Sequence, residues 1–464
     1  MMKIINKHLT YRMKEISILC LLLSCLVHAE NLLFIAIDDL SSRIRSLGDP
    51  YAITPNLDRI YNESTVFTKQ FATSPECGPS RTSMLTSLKV ENHRVEHFEH
   101  FRGLNPRVIT LPGLLRSNGG YFTSGVGKVF DFWNFGGRSS SEFIKPDLCS
   151  SKSIQCSFDR FYSYNEIILN KTTTPGNILF KKSDDNEILT DDYILRNSIS
   201  QLQGFNESRK KFALFVGITK PHMPFTCHDS FYKMYDNLAI SAAFTNMYNM
   251  TSYFKTVSHP YFKSDSREAR KYSGFQVNNP NQYARGHYAC ISQSDSIIGR
   301  LVDVLDNLSA ISNNTFVVIW GDHGFSVGER NIFGKKVLYE NTNKSPFMIR
   351  FPPSSRVHNL IETPISNIDI YPTIAELLNV NVVQKIDGTS TVKLMNRDIN
   401  HTHPVPFSSF YIYGPSSLIG ISKWYKTNTT MTIHKRSSSN RLKPITTPYI
   451  SRVYKPNTNE RELL

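Results

Sequence analysis

The chain has 464 residues, of which 40% are hydrophobic, 12% aromatic and 20% charged, with 23 glycines and 23 prolines. This excludes a disordered chain, a coiled coil and a collagen-like chain, and no internal repeat points to a solenoid or propeller. Fifty-three Lys and Arg against 39 Asp and Glu leave a net charge of +14, which favours anionic partners. Without an RNA-binding signature, zinc-finger spacing or Arg-rich tail, nucleic acid ranks below sulfated or phosphorylated substrates and anionic membranes.

Lys3, Lys7, Arg12 and Lys14 precede an apolar run from Ile16 to Val27, followed by a small-residue site ending at Ala29. The run is too short for a membrane span, which needs ~20 residues. Residues 1–29 therefore read as a secretory signal peptide. Its removal takes four cations and one anion and leaves +11. No second long apolar run follows, so no membrane span is expected. Cys20 and Cys25 lie in the leader, and Cys77, Cys149, Cys156, Cys227 and Cys290 remain. An odd number in a secretory protein leaves one thiol over. Cys149 and Cys156 are close enough to close a small loop, and Cys227 and Cys290 are a possible pair. Sequons at Asn62, Asn170, Asn206, Asn249, Asn307, Asn313, Asn343, Asn400 and Asn428 supply candidate surface glycan acceptors.

Four near-continuous apolar runs follow: Asn31 to Ile37, Tyr121 to Val126, Phe212 to Ile218 and Thr315 to Trp320. Such runs suit strands buried on both faces, hence an α/β fold with a large, mainly parallel sheet between helices. Leu111–Ser117, Asp191–Gln203 and Ser292–Leu308 read as crossover helices. Ligands of such sheets sit beyond the carboxyl ends of the strands. There the four runs deliver Asp38 and Asp39, Lys128, His222, and Asp322 with His323. Phe132 to about Asp185 and Asp236–Asn281 read as long excursions. Beyond residue 400, short β-like pieces at Ser409–Tyr413, Ile419–Tyr425 and Tyr449–Tyr454 predict a small antiparallel α+β subdomain over 401–464, after a catalytic body over 30–400.

Carboxylates with one imidazole at two strand ends suit a hard divalent cation, Ca²⁺ rather than Zn²⁺. Cys77-Gly78-Pro79-Ser80-Arg81 precedes a segment, Ser80 to Leu88, expected to open as a helix just after Pro79. Helix N-termini favour anions, so Cys77 sits where a sulfate-like group is welcome.

Cys77 to Arg81 with Met84-Leu85-Thr86 resembles the sulfatase signature. Asp38-Asp39, Gly127-Lys128, Lys220-Pro221-His222 and Gly321-Asp322-His323-Gly324 match the family's other motifs in order, from Asn31 to roughly Leu378. Within the family the combination is similar to the iduronate-2-sulfatase branch. The resemblance implies an alkaline-phosphatase-like superfold and a Cys77 oxidised to formylglycine by the formylglycine-generating enzyme. Its hydrate is a gem-diol: one hydroxyl attacks sulfur and the other later expels sulfate. It further implies one Ca²⁺ held by Asp38, Asp39, Cys77, Asp322 and His323. Arg81 would pair with the metal-bound diol, Lys128 and Lys335 would neutralise sulfate oxygens, and His222 would act as general acid.

Two positions depart from the pattern. Ser87-Leu88 replaces Gly-Arg after the Leu-Thr pair, which bears on maturation. Asp131 stands three residues after Lys128, where the related enzymes carry histidine. An aspartate can serve as a base but sets negative charge near an anion, which bears on turnover. The expected function is a lysosomal or secreted sulfatase acting on the 2-sulfate of L-iduronate in heparan or dermatan sulfate. The alternatives are a sulfatase of another sulfated sugar, a phosphodiesterase of the same superfold, and a catalytically impaired protein that binds sulfated glycans.

Overall fold

The computed structural model describes residues 31–97, 99–131, 156–163, 180–238, 280–329, 333–336, 338–398, 401–411, 418–424, 429–436 and 442–444. The leader, Cys149, most of both excursions, the Tyr449–Tyr454 piece and the sequons at Asn170, Asn249, Asn400 and Asn428 lie outside them.

The four apolar runs become neighbours. Strands Thr315–Gly321, Asn31–Ile37, Phe212–Ile218 and Phe122–Gly127 lie side by side in that order, all parallel. Ile35 sits between Val216 and Ile319 in register. Leu33, Ile35 and Ile37 face a core built with helices Thr190–Ser208 and Pro280–Asn307. Leu32, Phe34 and Ala36 face a second core built with helices Cys77–Thr86, Leu111–Gly119 and Ile370–Leu377. Both faces of the strand are therefore apolar, and alternation is absent. Each expected crossover helix is present and longer than expected, although Pro280–Asn307 stops one residue short of Leu308.

The sheet continues through Lys344–Arg350, Ser64–Phe71 and Asn359–Ile361 on one side and Arg160–Ser163 on the other, and Ile365–Ser366 also pairs with Ser64–Phe71. Only Lys344–Arg350, among these described strands, runs antiparallel to its neighbours. Arg160–Ser163 and Phe180–Ser183, both inside the first expected excursion, are strands, the latter paired with Phe225–His228. At the C-terminal end, Phe407–Tyr411, Leu418–Trp424, Thr429–Arg436 and Leu442–Pro444 form an antiparallel sheet in sequence order. The Ser409 amide donates to the Thr73 carbonyl at 2.7 Å, tying the first of these strands to the main body.

Cys227 and Cys290 form a disulfide that joins Phe225–His228 to the Pro280–Asn307 helix. Cys156 is also disulfide-bonded. Asn62, Asn307 and Asn313 are exposed, whereas Asn343 is fully buried and unsuited to a glycan. No helix among the described residues is long and apolar enough to cross a membrane.

Candidate active site

The parallel ladder runs on for one residue past each strand. The Asp38 amide donates to Ile218 O at 3.2 Å, Asp322 to Ile37 O at 3.2 Å and Lys128 to Gly217 O at 2.9 Å. Three functional side chains are thereby fixed at one edge. Gly127 permits the close approach: its φ is 75°, and a Cβ there would lie 2.3 Å from Gly217 O. Asp39 adopts a left-handed φ of 62°, unusual for a side-chain-bearing residue. Its amide donates to Asp322 Oδ1 at 3.0 Å.

Ser64–Phe71 points to the same edge and leads to the Cys77 helix. That helix begins at Cys77, three residues before the expected start, with Glu76 as N-cap. Pro79 fits its first turn, where no intrahelical partner for an amide is needed. The helix ends at Thr86, short of the expected Leu88, because Ser87 turns left-handed at φ 56°. Ser87 Oγ donates to Ile368 O at 2.7 Å, a bond that the family's glycine lacks.

Cys77 is buried, and it is the free cysteine among the described residues. Its Sγ lies 3.2 Å from Asp38 Oδ1, 3.3 Å from His323 Nε2, 3.0 Å from Lys335 Nζ and 3.7 Å from Lys128 Nζ. Lys128 Nζ donates to Asp38 Oδ2 at 2.6 Å, and Lys335 Nζ to Asp39 Oδ1 at 2.7 Å. Lys128 Nζ also stands 3.7 Å from Asp131 Oδ2. Arg81 reaches Asp322 and Asp38 at 2.8 and 3.3 Å. Asp38, Asp39 and Asp322 are thus balanced by Arg81, Lys128 and Lys335. Burial pushes the Cys77 thiol well up, so it is neutral. Burial, with Asp38 and Asp322 alongside, pushes Asp39 up to about 7 against the pull of Lys335.

His222 follows the Phe212–Ile218 strand. Its Nδ1 donates to Met223 O at 2.6 Å. Burial and the charges of Lys335 and Lys128 hold it well below the usual histidine range, with Asp38 opposing. The electrostatic contact with these three groups puts it at the same centre. Sequence reasoning missed what holds it there. Lys220 Nζ donates to the carbonyls of His222 and Pro224 at 3.0 and 2.6 Å. Asp191 accepts from the amides of Thr219 and Lys220, both at 2.9 Å. Lys220 was visible in the matched motif, but nothing local distinguishes a loop clamp from a catalytic cation.

The donor set fits a hard cation. One ligand atom each from Asp38, Asp39, Cys77 and His323 lies within 4.8 Å of the others. Asp39 Oδ2 is buried with no hydrogen-bond partner, and buried carboxylate oxygens are normally paired. His323 Nδ1 donates to Gly324 O at 2.9 Å, which leaves the Nε2 lone pair for a metal. Asp322 stands apart: Oδ1 accepts from the amides of Asp39 and His323 and Oδ2 from Arg81.

The sulfatase family profile matches residues 30–380. The chain belongs to the sulfatase family. A sulfatase of Formosa agariphila is 26% identical over 416 residues, 80% of this chain and 74% of that protein. Iduronate 2-sulfatase of Mus musculus is 27% identical over 348 residues, 70% of this chain and 60% of that enzyme. N-acetylglucosamine-6-O-sulfatase of Bacteroides thetaiotaomicron is 23% identical over 431 residues, 79% of this chain and 71% of that enzyme. Phosphonate monoester hydrolase of Silicibacter pomeroyi shares the fold, with a TM-score of 0.66 at 17% identity over 89% of this chain and 90% of its own. This sulfatase is accordingly a hydrolase of sulfate esters.

Proposed function

We propose that this sulfatase acts on sulfated sugars of the glycosaminoglycan class. The observation that carries the reading is the Cys77 side chain, unbonded to any other cysteine and set between two ammonium groups and a carboxylate-imidazole cluster. The 2-sulfate of L-iduronate in heparan or dermatan sulfate is the narrower candidate, supported by the Lys220-Pro221-His222 motif and the mouse relative. A relative named for N-acetylglucosamine 6-sulfate matches at 23%, so the broader class is preferred. A mature charge of +11 suits a polyanion.

In this reading Asp38, Asp39, His323 and the modified Cys77 hold one Ca²⁺, with Asp322 completing or bracing the set. The cation supplies a fixed positive charge that polarises the sulfate oxygens. Formylglycine at Cys77, made by the formylglycine-generating enzyme, supplies a hydrated aldehyde as nucleophile in place of the thiol. Lys128 and Lys335 place ammonium groups where sulfate oxygens gain charge. Arg81 orients Asp38 and Asp322. His222, with Nδ1 committed to Met223 O, exchanges a proton at Nε2. A bound anion would offset Lys128 and Lys335 and favour its protonated form, as donation to the leaving oxygen requires.

We assign residues 30–400 to the catalytic unit and 401–464 to a small subdomain. A secretory destination, lysosomal or extracellular, is supported by the leader sequence and by the Cys227–Cys290 disulfide. Purified protein assayed for sulfate release from 2-O-, 6-O- and N-sulfated disaccharides tests the substrate reading. Release from none of them would overturn it.

A further inference from the structure

We propose that Glu76 is a positioning residue of this sulfatase, which, through Lys336, fixes Lys335 against Cys77. The inference rests on the sulfatase reading above, because it gives Lys335 a sulfate to meet.

Two chain segments 258 residues apart run side by side here. Lys335 Nζ lies 3.0 Å from Cys77 Sγ. One residue along, Lys336 Nζ lies 3.0 Å from Glu76 Oε1, and the Lys336 amide donates to Pro75 O at 3.2 Å. In extended chain, consecutive side chains point to opposite sides. Lys336 breaks that alternation with a left-handed φ of 67°, so both lysines reach the same segment. A lysine in that region is strained and persists only where its surroundings hold it. The bonds to Pro75 and Glu76 are such a hold, and His97 Nδ1 also engages Glu76 Oε1.

The charge pattern argues the same way. A carboxylate one residue from Cys77 opposes an anionic substrate unless it is neutralised. Glu76 is 6% exposed, and Lys336 supplies the neutralising charge. A group that would hinder sulfate binding if left alone is therefore turned to aligning the lysine that binds it. Neither Glu76 nor Lys336 belongs to the motifs that carry the family resemblance.

A double-mutant cycle with inorganic sulfate as the probe separates this role from a general loss of stability. Sulfate affinity is measured by calorimetry on intact, metal-loaded protein, with KM and kcat on a sulfated disaccharide alongside. Glu76→Gln is expected to weaken sulfate about tenfold, and less than about twofold in the Lys335→Ala background. The exchange Glu76→Lys with Lys336→Glu is expected to restore affinity to within about threefold of the native protein. Lys336→Met provides the same cycle if Glu76→Gln does not fold. Equal weakening with and without Lys335 would overturn the proposal, as would native affinity in Glu76→Gln. Native protein that binds sulfate but hydrolyses no sulfate ester would overturn the substrate reading, and the binding cycle would still decide the role of Glu76.

Discussion

Arg81 Nε donates to Asp322 Oδ2 at 2.8 Å, with both side chains closed off from solvent. The same guanidinium reaches Asp38 Oδ1 at 3.3 Å, Val129 O at 3.2 Å and Lys128 O. One helical residue thus binds the segments that follow three different strands. A planar fork of five donors can do this and an ammonium cannot. Arg81→Ala leaves Asp322 buried without its cation, an expected loss of about 3–5 kcal/mol in urea unfolding. Arg81→Lys should fold better and still hydrolyse poorly. A loss below about 1 kcal/mol for the alanine variant would show that the pair does not hold the site.

Cys77→Ala is expected to abolish sulfate release while leaving the unfolding midpoint nearly unchanged, since Cys77 is in no disulfide. Cys77→Ser made in a eukaryotic host should also be inactive, because maturation there acts on cysteine. The mass of the native peptide spanning Cys77 should reveal conversion to formylglycine. Sulfate release by the alanine variant would rule out a nucleophile at this position.

Elemental analysis of active protein is expected to give one Ca²⁺ per chain, removable by chelation with loss of activity. Asp39→Ala should lose the ion, because its Oδ2 has no protein partner. Asp322→Ala should lose ion and activity, and also stability, since Arg81 then loses its shorter ion pair and keeps Asp38 at 3.3 Å as its buried carboxylate partner. Full activity in protein free of divalent cations would contradict the metal assignment.

His93 is expected to make the fold sensitive to acid. Its Nδ1 accepts from the Val95 amide at 3.0 Å, so the neutral ring donates from Nε2 to Ser83 Oγ at 2.8 Å, under the Cys77 helix. Burial holds it down to about 3, against an ordinary 6.5. The unfolded chain therefore takes up this proton first as the pH falls. The contribution is complete above about 6.5 and is lost progressively from there toward 3, by up to about 1.4 kcal/mol per pH unit. His93→Gln should flatten the dependence of the melting temperature on pH between 6 and 4. An unchanged slope would assign the acid sensitivity to other buried groups.

The legible part of the fold was the part made of uninterrupted apolar strands. Asn31–Ile37 and Phe212–Ile218 match the sequence reading in both boundaries, because burial on both faces removes any need for polar residues. Ser64–Phe71 gave no such signal, as Thr68 and Lys69 are only half-buried. Lys344–Arg350 hides behind Pro346, which lacks an amide for the ladder. The structure accommodates it with a register shift between Ser345 and Phe347. Asp38, Lys128 and Asp322 were legible because each directly follows a strand. Lys335 was placed only through the family resemblance. The Asp191–Lys220 clamp and the Glu76–Lys336 pair join segments distant in sequence, and such pairings leave no periodic trace in one chain.

Asp131 is the position at which this reading expects turnover to be limited. Its Oδ2 stands 3.7 Å from Lys128 Nζ, the same nitrogen that lies 2.6 Å from Asp38 and 3.7 Å from Cys77 Sγ. Lys128 is thereby shared between two carboxylates and the nucleophile position. A histidine in place of Asp131 would release that share of its charge to the sulfate and could take a proton without repelling the anion. Loss of a well-placed base costs ~10²–10⁴-fold in rate. Native protein is therefore expected to turn over slowly, and Asp131→His to raise kcat with little change in KM, in steady-state kinetics on a 2-O-sulfated iduronate disaccharide. Asp131→Asn separates the causes: a similar rise would identify the negative charge as the obstacle, and no rise would identify the missing base. If Asp131→His is slower than the native protein, the carboxylate is itself the working base, adapted to a substrate that the histidine-bearing relatives do not take.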